Sequence, residues 1–205
     1  MSDPAEITRK TYERAAQALL DELEPRPESP HAKHHAHILA RLTGRPSMRA
    51  VVMGSAAPVM LREFNDQGAV AIGLDYSKAA LRVWQRELQG TSLVCANLQR
   101  LPFAKSSLDA LYADALLGHI ARRDFEETVR GIRDALRPGG VLGVRLKLGE
   151  GERLENHKQV PGQVWRSYWT MPEFVNSLNL LDFDVRHEQQ MANGKSVFLV
   201  LRREY

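Results

Sequence analysis

The chain has 205 residues, of which 43% are hydrophobic and 26% charged, a composition that excludes a disordered chain and suits one domain with a real core. A net charge of +3, with no block of Lys or Arg longer than a pair, argues against a nucleic-acid surface. The lone Cys95 excludes an internal disulfide and a cysteine-rich metal site. The first ten residues lack the apolar core of a secretory signal, and no apolar run reaches membrane-spanning length, so a cytoplasmic protein away from membranes is expected.

In chain order, residues 4–23 read as a helix, with Asp3 placed to cap it, Pro4 in its first turn and Glu6 three residues after the cap. Tyr12, Ala15, Ala16, Leu19 and Leu20 recur at helical spacing as its apolar face, and Pro25, Pro27 and Pro30 end it. Residues 31–43 form a second helix stopped by Gly44. It holds His31, His34, His35 and His37. No carboxylate or cysteine joins them at ligand spacing, so they read as histidines on a solvated face, and no metal is expected.

The run Arg49–Met53 reads as a buried strand that breaks at Gly54-Ser55, followed by a helix over 58–66. Asn65 to Gly68 then turn into a second strand that ends in Asp75. Strand, tight turn, helix, strand and a terminal acid open a nucleotide-type α/β fold. In such a unit backbone N–H groups and a helix N-terminus face the ligand, and the acid can accept hydrogen bonds from both hydroxyls of a ribose. Ser77 caps a helix over 78–88 with Ala79, Leu81, Val83, Trp84 and Leu88 turned inward. A third strand, Thr91–Ala96, ends at Asn97-Leu98, and LDALYAD makes a fourth. Residues 124–137 form an amphipathic helix, capped by Asp124 with Glu127 completing a capping box, before a Pro-Gly-Gly turn into a fifth strand over 141–147. From Leu148 to Arg166 there is no periodicity, and a stretch that long is functional or disordered. A helix over 171–180 and an antiparallel hairpin of Phe183–Glu188 with Lys195–Arg202 complete the chain.

Several stretches resemble the class I S-adenosylmethionine-dependent methyltransferases of small molecules: the unit from Arg49 to Asp75, LPFAKSSLDALYA, and Leu-Arg-Pro-Gly-Gly before a strand. The resemblance implies one methyltransferase domain over 1–205: a helical cap at 1–44 and an α/β core at 45–205 built as a Rossmann-like seven-stranded sheet with helices on both faces and a terminal antiparallel hairpin. It implies S-adenosylmethionine as cofactor and a small-molecule acceptor. Cofactor contacts fall on Tyr12, Gly54, Ser55, Ala56, Asp75, Tyr76, Asn97, Leu98, Ala113 and Asp114. Tyr12 would close over the cofactor, Asp75 would hold the ribose, Tyr76 would stack on the adenine and Asn97 would accept from its amino group. The backbone of Ala113 and Asp114 would face the methionine part.

The family's glycine motif is degenerate here. Val52 stands where an acid is expected, and Ala56 and Pro58 stand where glycines are expected, so only Gly54 matches. Asn97 replaces an acid and accepts without charge assistance. Methyl transfer from a sulfonium needs alignment, exclusion of water and, for an O or N acceptor, removal of a proton. The candidate catalytic residues are His119 and Tyr168, with Glu150 as a further base and Arg166 and Trp169 as pocket lining. The alternative is a catalytically silent relative serving as a binding or partner subunit, and a homodimer or a protein partner is left open.

Overall fold

The computed structural model describes residues 3–21, 30–45, 47–54, 57–157 and 161–205. Among these are nine strands: β1 (Arg49–Gly54), β2 (Val70–Asp75), β3 (Ser92–Cys95), β4 (Leu108–Asp114), β5 (Leu136–Lys147), β6 (Glu152–Asn156), β7 (Gln163–Ser167), β8 (Phe183–Gln190) and β9 (Ser196–Arg203). Seven form one sheet in the order β3-β2-β1-β4-β5-β9-β8, and β6 pairs with β7 apart from it. From β3 to β5 the neighbours are parallel, while β9 runs antiparallel to both β5 and β8. The fold is the expected α/β class, with its hairpin at the end of the chain.

Alternation along the strands feeds two cores. Val51 and Met53 of β1, Leu111 and Ala113 of β4, and Val144 and Leu146 of β5 point to one face. There they meet Phe125, Val129 and Ile132 of α5 (Arg122–Ala135) and Phe174 and Leu178 of α6 (Met171–Asn179). Ala50, Val52, Ala110, Tyr112, Val141 and Phe198 point to the other. That face is covered by α2 (Pro30–Thr43), α3 (Ala57–Asp66) and α4 (Lys78–Glu87). Ser77 caps α4 as expected, its hydroxyl accepting from the Ala80 N–H. The first helix, α1 (Pro4–Asp21), packs instead against α4 and β7.

Beneath the sheet, the fully buried Asp109 accepts from the Arg49 N–H at 2.8 Å and from Arg137 at 2.5 Å, with Arg45 at 3.4 Å. Burial alone would raise its carboxyl, but these partners outweigh it and hold it below the usual carboxylate range. The pairing ties the start of β4 to the starts of β1 and β5.

Four expectations need correction. His35 is not on a solvated face: it is buried, stacked on Phe198 at 3.6 Å and 3.0 Å from the Tyr112 hydroxyl. With Ala32, Ala36 and Leu39 it completes the apolar stripe of α2, a stripe hidden when histidine is counted as polar. The helix expected over 124–137 runs from Arg122 to Ala135 with no side-chain cap; its Arg122 N–H is taken by Glu152 at 2.8 Å, so a distant carboxylate replaces the local box. Its expected end is already strand, since β5 begins at Leu136. The stretch without periodicity contains the β6–β7 hairpin. Pro25 and Pro27 lie outside the described residues, and Pro30 starts α2 rather than ending α1. Among the described residues, no helix is long and apolar enough to cross a membrane.

Burial pushes the His35 imidazole down to about 4. The unfolded chain therefore binds a proton there that the folded chain refuses between about pH 4 and about pH 6.5. Stability from this group is complete above that window and is lost as pH falls through it, by on the order of 2 kcal/mol. Urea unfolding at several pH values should show this slope, and His35→Leu should lessen it by about that amount whatever its absolute cost.

Candidate functional site

The order of the sheet reverses between β1 and β4, where connections leave in opposite directions and a crevice opens beyond the strand ends. A cavity of about 590 Å³ occupies that crevice. Met53 and Gly54 end β1 in its wall, Asp75 ends β2, Asp114 ends β4, and Arg145 comes from β5. The roof is α1, through Thr8, Arg9, Tyr12, Ala15 and Ala16, and the side toward the β6–β7 hairpin carries His119, His157 and Arg166.

Gly54 has a φ of +97°, and a Cβ on it would lie 2.5 Å from the Asp114 carbonyl oxygen. The paired strand ends, Gly54 opposite Asp114, therefore need a residue without a side chain whatever the cavity holds. Asp114 is buried and pairs with Arg145, its register neighbour on β5. Ala115 follows with a φ of +57°, and its N–H donates to the Arg145 carbonyl at 3.0 Å. A left-handed alanine costs about 1 kcal/mol, and here it turns the chain along the cavity wall.

Asp75 presents one oxygen to the Ser77 N–H at 2.7 Å. Burial pushes its carboxyl up to about 6, and Glu13 adds to the rise while backbone N–H groups oppose it. Glu13 comes from α1: it accepts from the Ser77 hydroxyl at 2.6 Å and the Ala79 N–H at 3.2 Å, fastening the roof to the start of α4. Tyr76 is 40% exposed at the rim, with the Arg9 guanidinium 5.5 Å from its ring centre. Asn97 turns its amide oxygen to the Gln99 N–H at 3.0 Å, which leaves that oxygen's second lone pair.

His119 is buried and has both ring nitrogens engaged. Nδ1 lies 2.7 Å from the Trp165 carbonyl oxygen, which only accepts, so Nδ1 carries the hydrogen. Nε2 is then a lone pair, 3.1 Å from the Tyr12 hydroxyl and 3.1 Å from Arg166 Nη1. Burial first, and the Arg166 guanidinium second, press this imidazole down to about 3, against the pull of the Trp165 carbonyl. Burial also raises the Tyr12 phenol. The hairpin is tied to α1 as well: Thr11 donates to the Gln163 carbonyl at 2.6 Å, and the Trp165 N–H donates to Thr8 at 2.9 Å. A Cβ on Gly162, whose φ is +136°, would strike Thr11 at 2.5 Å.

Of the residues singled out in the sequence, Tyr12, Gly54, Asp75, Tyr76, Asn97, Leu98, Asp114, His119 and Arg166 meet at this cavity. Ser55 and Ala56 lie outside the described residues. Ala113 is fully buried in the core, and the wall passes through Asp114, Ala115 and Leu116 instead. Val52 is likewise core. Tyr168 stands off the cavity: its hydroxyl donates to Glu155 at 2.8 Å and meets Lys147 at 3.2 Å. Trp169 packs on Phe125 and Phe174, and Glu150 is exposed elsewhere. The reading missed Glu13, His157 and Arg145. Arg145 did carry a signal, a cation interrupting an otherwise apolar strand. Among the described residues no group of three or more His, Cys, Asp or Glu could hold a metal.

Residues 51–144 match the methyltransferase domain family. No curated protein sequence matches the chain. The structure resembles the Burkholderia thailandensis 1,6-didemethyltoxoflavin-N1-methyltransferase, solved with 1,6-didemethyltoxoflavin and S-adenosylhomocysteine, with a TM-score of 0.75 at 17% identity, over 100% of this chain and 92% of that one. The glycopeptide N-methyltransferase MtfA, complexed with S-adenosylhomocysteine, gives 0.64 at 16% over 92% and 97% of the two chains. The 4+2 cyclase SpnF gives 0.67 at 15% over 89% and 85%. At these identities the likeness is one of fold, and a cyclase shares it.

Gly54→Ala should lower the melting temperature by several degrees, since left-handed strain and the clash with Asp114 together cost on the order of 2 kcal/mol. Nitrogen NMR of His119 should show the Nδ1–H tautomer with no titration between about pH 5 and about pH 8.

Proposed function

We propose that this chain, which carries a methyltransferase domain at residues 51–144 on a class I methyltransferase fold, transfers a methyl group from S-adenosylmethionine to a small-molecule acceptor. One observation carries the reading: a carboxylate, Asp75, ends β2 beside Gly54 and Asn97 and faces an open cavity at the reversal of the sheet. The alternative, a silent relative, would sit more easily with a crevice filled by the protein's own side chains.

The donor set suits the cofactor. Asp75 keeps an oxygen beyond the one held by Ser77 and accepts from the ribose diol. Asn97 offers its remaining lone pair to the adenine edge, and Leu98 and Tyr76 supply apolar and aromatic surface. The Asp114–Arg145 pair and the turn at Ala115 border the methionine part. When bound, S-adenosylmethionine supplies a methyl carbon on a sulfonium: the acceptor's lone pair bonds to that carbon, the carbon–sulfur bond breaks, and its electron pair stays on sulfur.

The acceptor end of the cavity is formed by Tyr12, His119, His157 and Arg166. Helix α1 roofs it, held by Glu13 to the start of α4 and by Thr8 and Thr11 to the hairpin. His119 is a positioning residue, since its lone pair orients Tyr12 and Arg166. We read 1–205 as one working unit, in which α1 roofs the site while α2 belongs to the helical layer.

Calorimetry with S-adenosylhomocysteine should give micromolar binding, and Asp75→Ala should weaken it about 100-fold. No binding at millimolar ligand would remove the reading and leave the silent relative. Because the ribose needs the ionised carboxylate, affinity should fall as pH drops through about 6, by about tenfold for each pH unit below it. A flat profile with intact binding would show that Asp75 is not the group holding the diol.

A further inference from the structure

We propose that the acceptor is an anion at the moment of transfer, held by the Arg166 guanidinium. This rests on the methyltransferase reading of the cavity and adds the charge of the acceptor to it.

Two independent observations on the acceptor side lead here. The first is an excess of positive charge. Arg166 Nε is 3.6 Å from Glu155, but Glu155 also faces Arg153 at 3.6 Å and accepts from Tyr168, which in turn meets Lys147. One carboxylate thus serves two guanidiniums with an ammonium nearby. Where Arg166 reaches the cavity, its neighbours are the rings of Tyr12, His119 and His157. All three are neutral at physiological pH: burial raises the Tyr12 phenol and lowers both imidazoles. A half-buried guanidinium facing neutral rings and open space is a seat for an anion.

The second is how few groups of that wall can take a proton: among its described residues only the His157 imidazole could, and burial and the Arg166 guanidinium press its basicity down. His119 has one nitrogen spent on the Trp165 carbonyl, and a proton on the other would point at the Arg166 guanidinium 3.1 Å away. Asp114 is paired with Arg145, and Asp75 lies at the opposite side, on the end of β2. An ionised acceptor needs no such group. Its negative charge and the sulfonium's positive charge cancel as the methyl carbon passes, and two neutral products remain with no proton left over. A neutral O–H or N–H acceptor would leave a proton that only a weakened base, His157, stands near to take. The chemical class is therefore a small molecule whose reacting group is ionised near neutral pH, such as a carboxylate, a phenolate or a deprotonated acidic ring nitrogen.

The test uses three probes of one shape and three charges, benzoate, benzamide and benzylamine, titrated calorimetrically into protein saturated with S-adenosylhomocysteine. Benzoate should bind at least about tenfold more tightly than either of the others. Arg166→Gln should abolish that preference and Arg166→Lys should retain part of it, with a thermal melt in S-adenosylhomocysteine checking that each variant is folded. Equal or tighter binding of benzamide or benzylamine, absence of any preference including no binding of all three, or a preference that survives Arg166→Gln would overturn the proposal. If S-adenosylhomocysteine itself fails to bind, the methyltransferase reading falls. If it binds and the probes show no charge preference, only the charge of the acceptor falls.

Discussion

A single imidazole joins the parts of this site that the backbone does not. His119 follows β4, yet its Nδ1 hydrogen goes to the hairpin, and its Nε2 lone pair goes to α1 through Tyr12 and to the hairpin again through Arg166. With both nitrogens committed and the ring buried, its protonation state is settled by its surroundings. A charged ring there would confront a guanidinium and leave the Tyr12 hydroxyl without its acceptor. The same bonds that join three elements thus keep the ring neutral, and they convert a residue type that usually moves protons into one that holds others in place.

The two sides of the cavity are built on different physical terms. On the side of β2 the wall is carboxylate-rich: Asp75 ends the strand and Glu13 caps the next helix from above. Burial first, and the Glu13 charge after it, raise the Asp75 carboxyl, and the wall suits a partner with hydroxyl donors. On the side of the hairpin the wall is cationic and aromatic. Between them, the buried Asp114–Arg145 pair is balanced and lies at the ends of neighbouring parallel strands. A ligand with a polar sugar at the carboxylate end would meet complementary surroundings there, with space left beside Arg166 for a group of negative charge. A polar cavity between two such walls also explains why α1, which could have lain on the sheet like α2, is instead pinned over the strand ends by hydroxyl and carboxylate bonds.

The degenerate glycine motif looks different once the strands are placed. Gly54 is needed because the strand end at Asp114 approaches within contact of where its side chain would be, so the one retained glycine answers to packing. Val52 lies in the core of the sheet. The departure at Val52 therefore sits where the fold makes its own demand, and the carboxylate that faces the cavity comes from the next strand.

Much of the architecture was legible along the chain because its causes are local. Strand periodicity, the Ser77 cap of α4 and the acid at the end of β2 depend on residues a few positions apart. What could not be read there depends on groups far apart in sequence. Glu152 caps α5 across 30 positions, His35 becomes apolar core only against Phe198, and the β6–β7 hairpin takes its place through bonds to α1. Tyr168 and Trp169 looked like pocket residues, but strand pairing turns them to Glu155 and Phe125. Residue types and their spacing determined the sheet, its helices and the carboxylate at its crevice, since short-range sterics and alternation suffice for these. Tertiary packing alone decided which histidine is neutral, which arginine faces the cavity and where α1 lies, because burial and charge are properties of a neighbourhood assembled from distant segments.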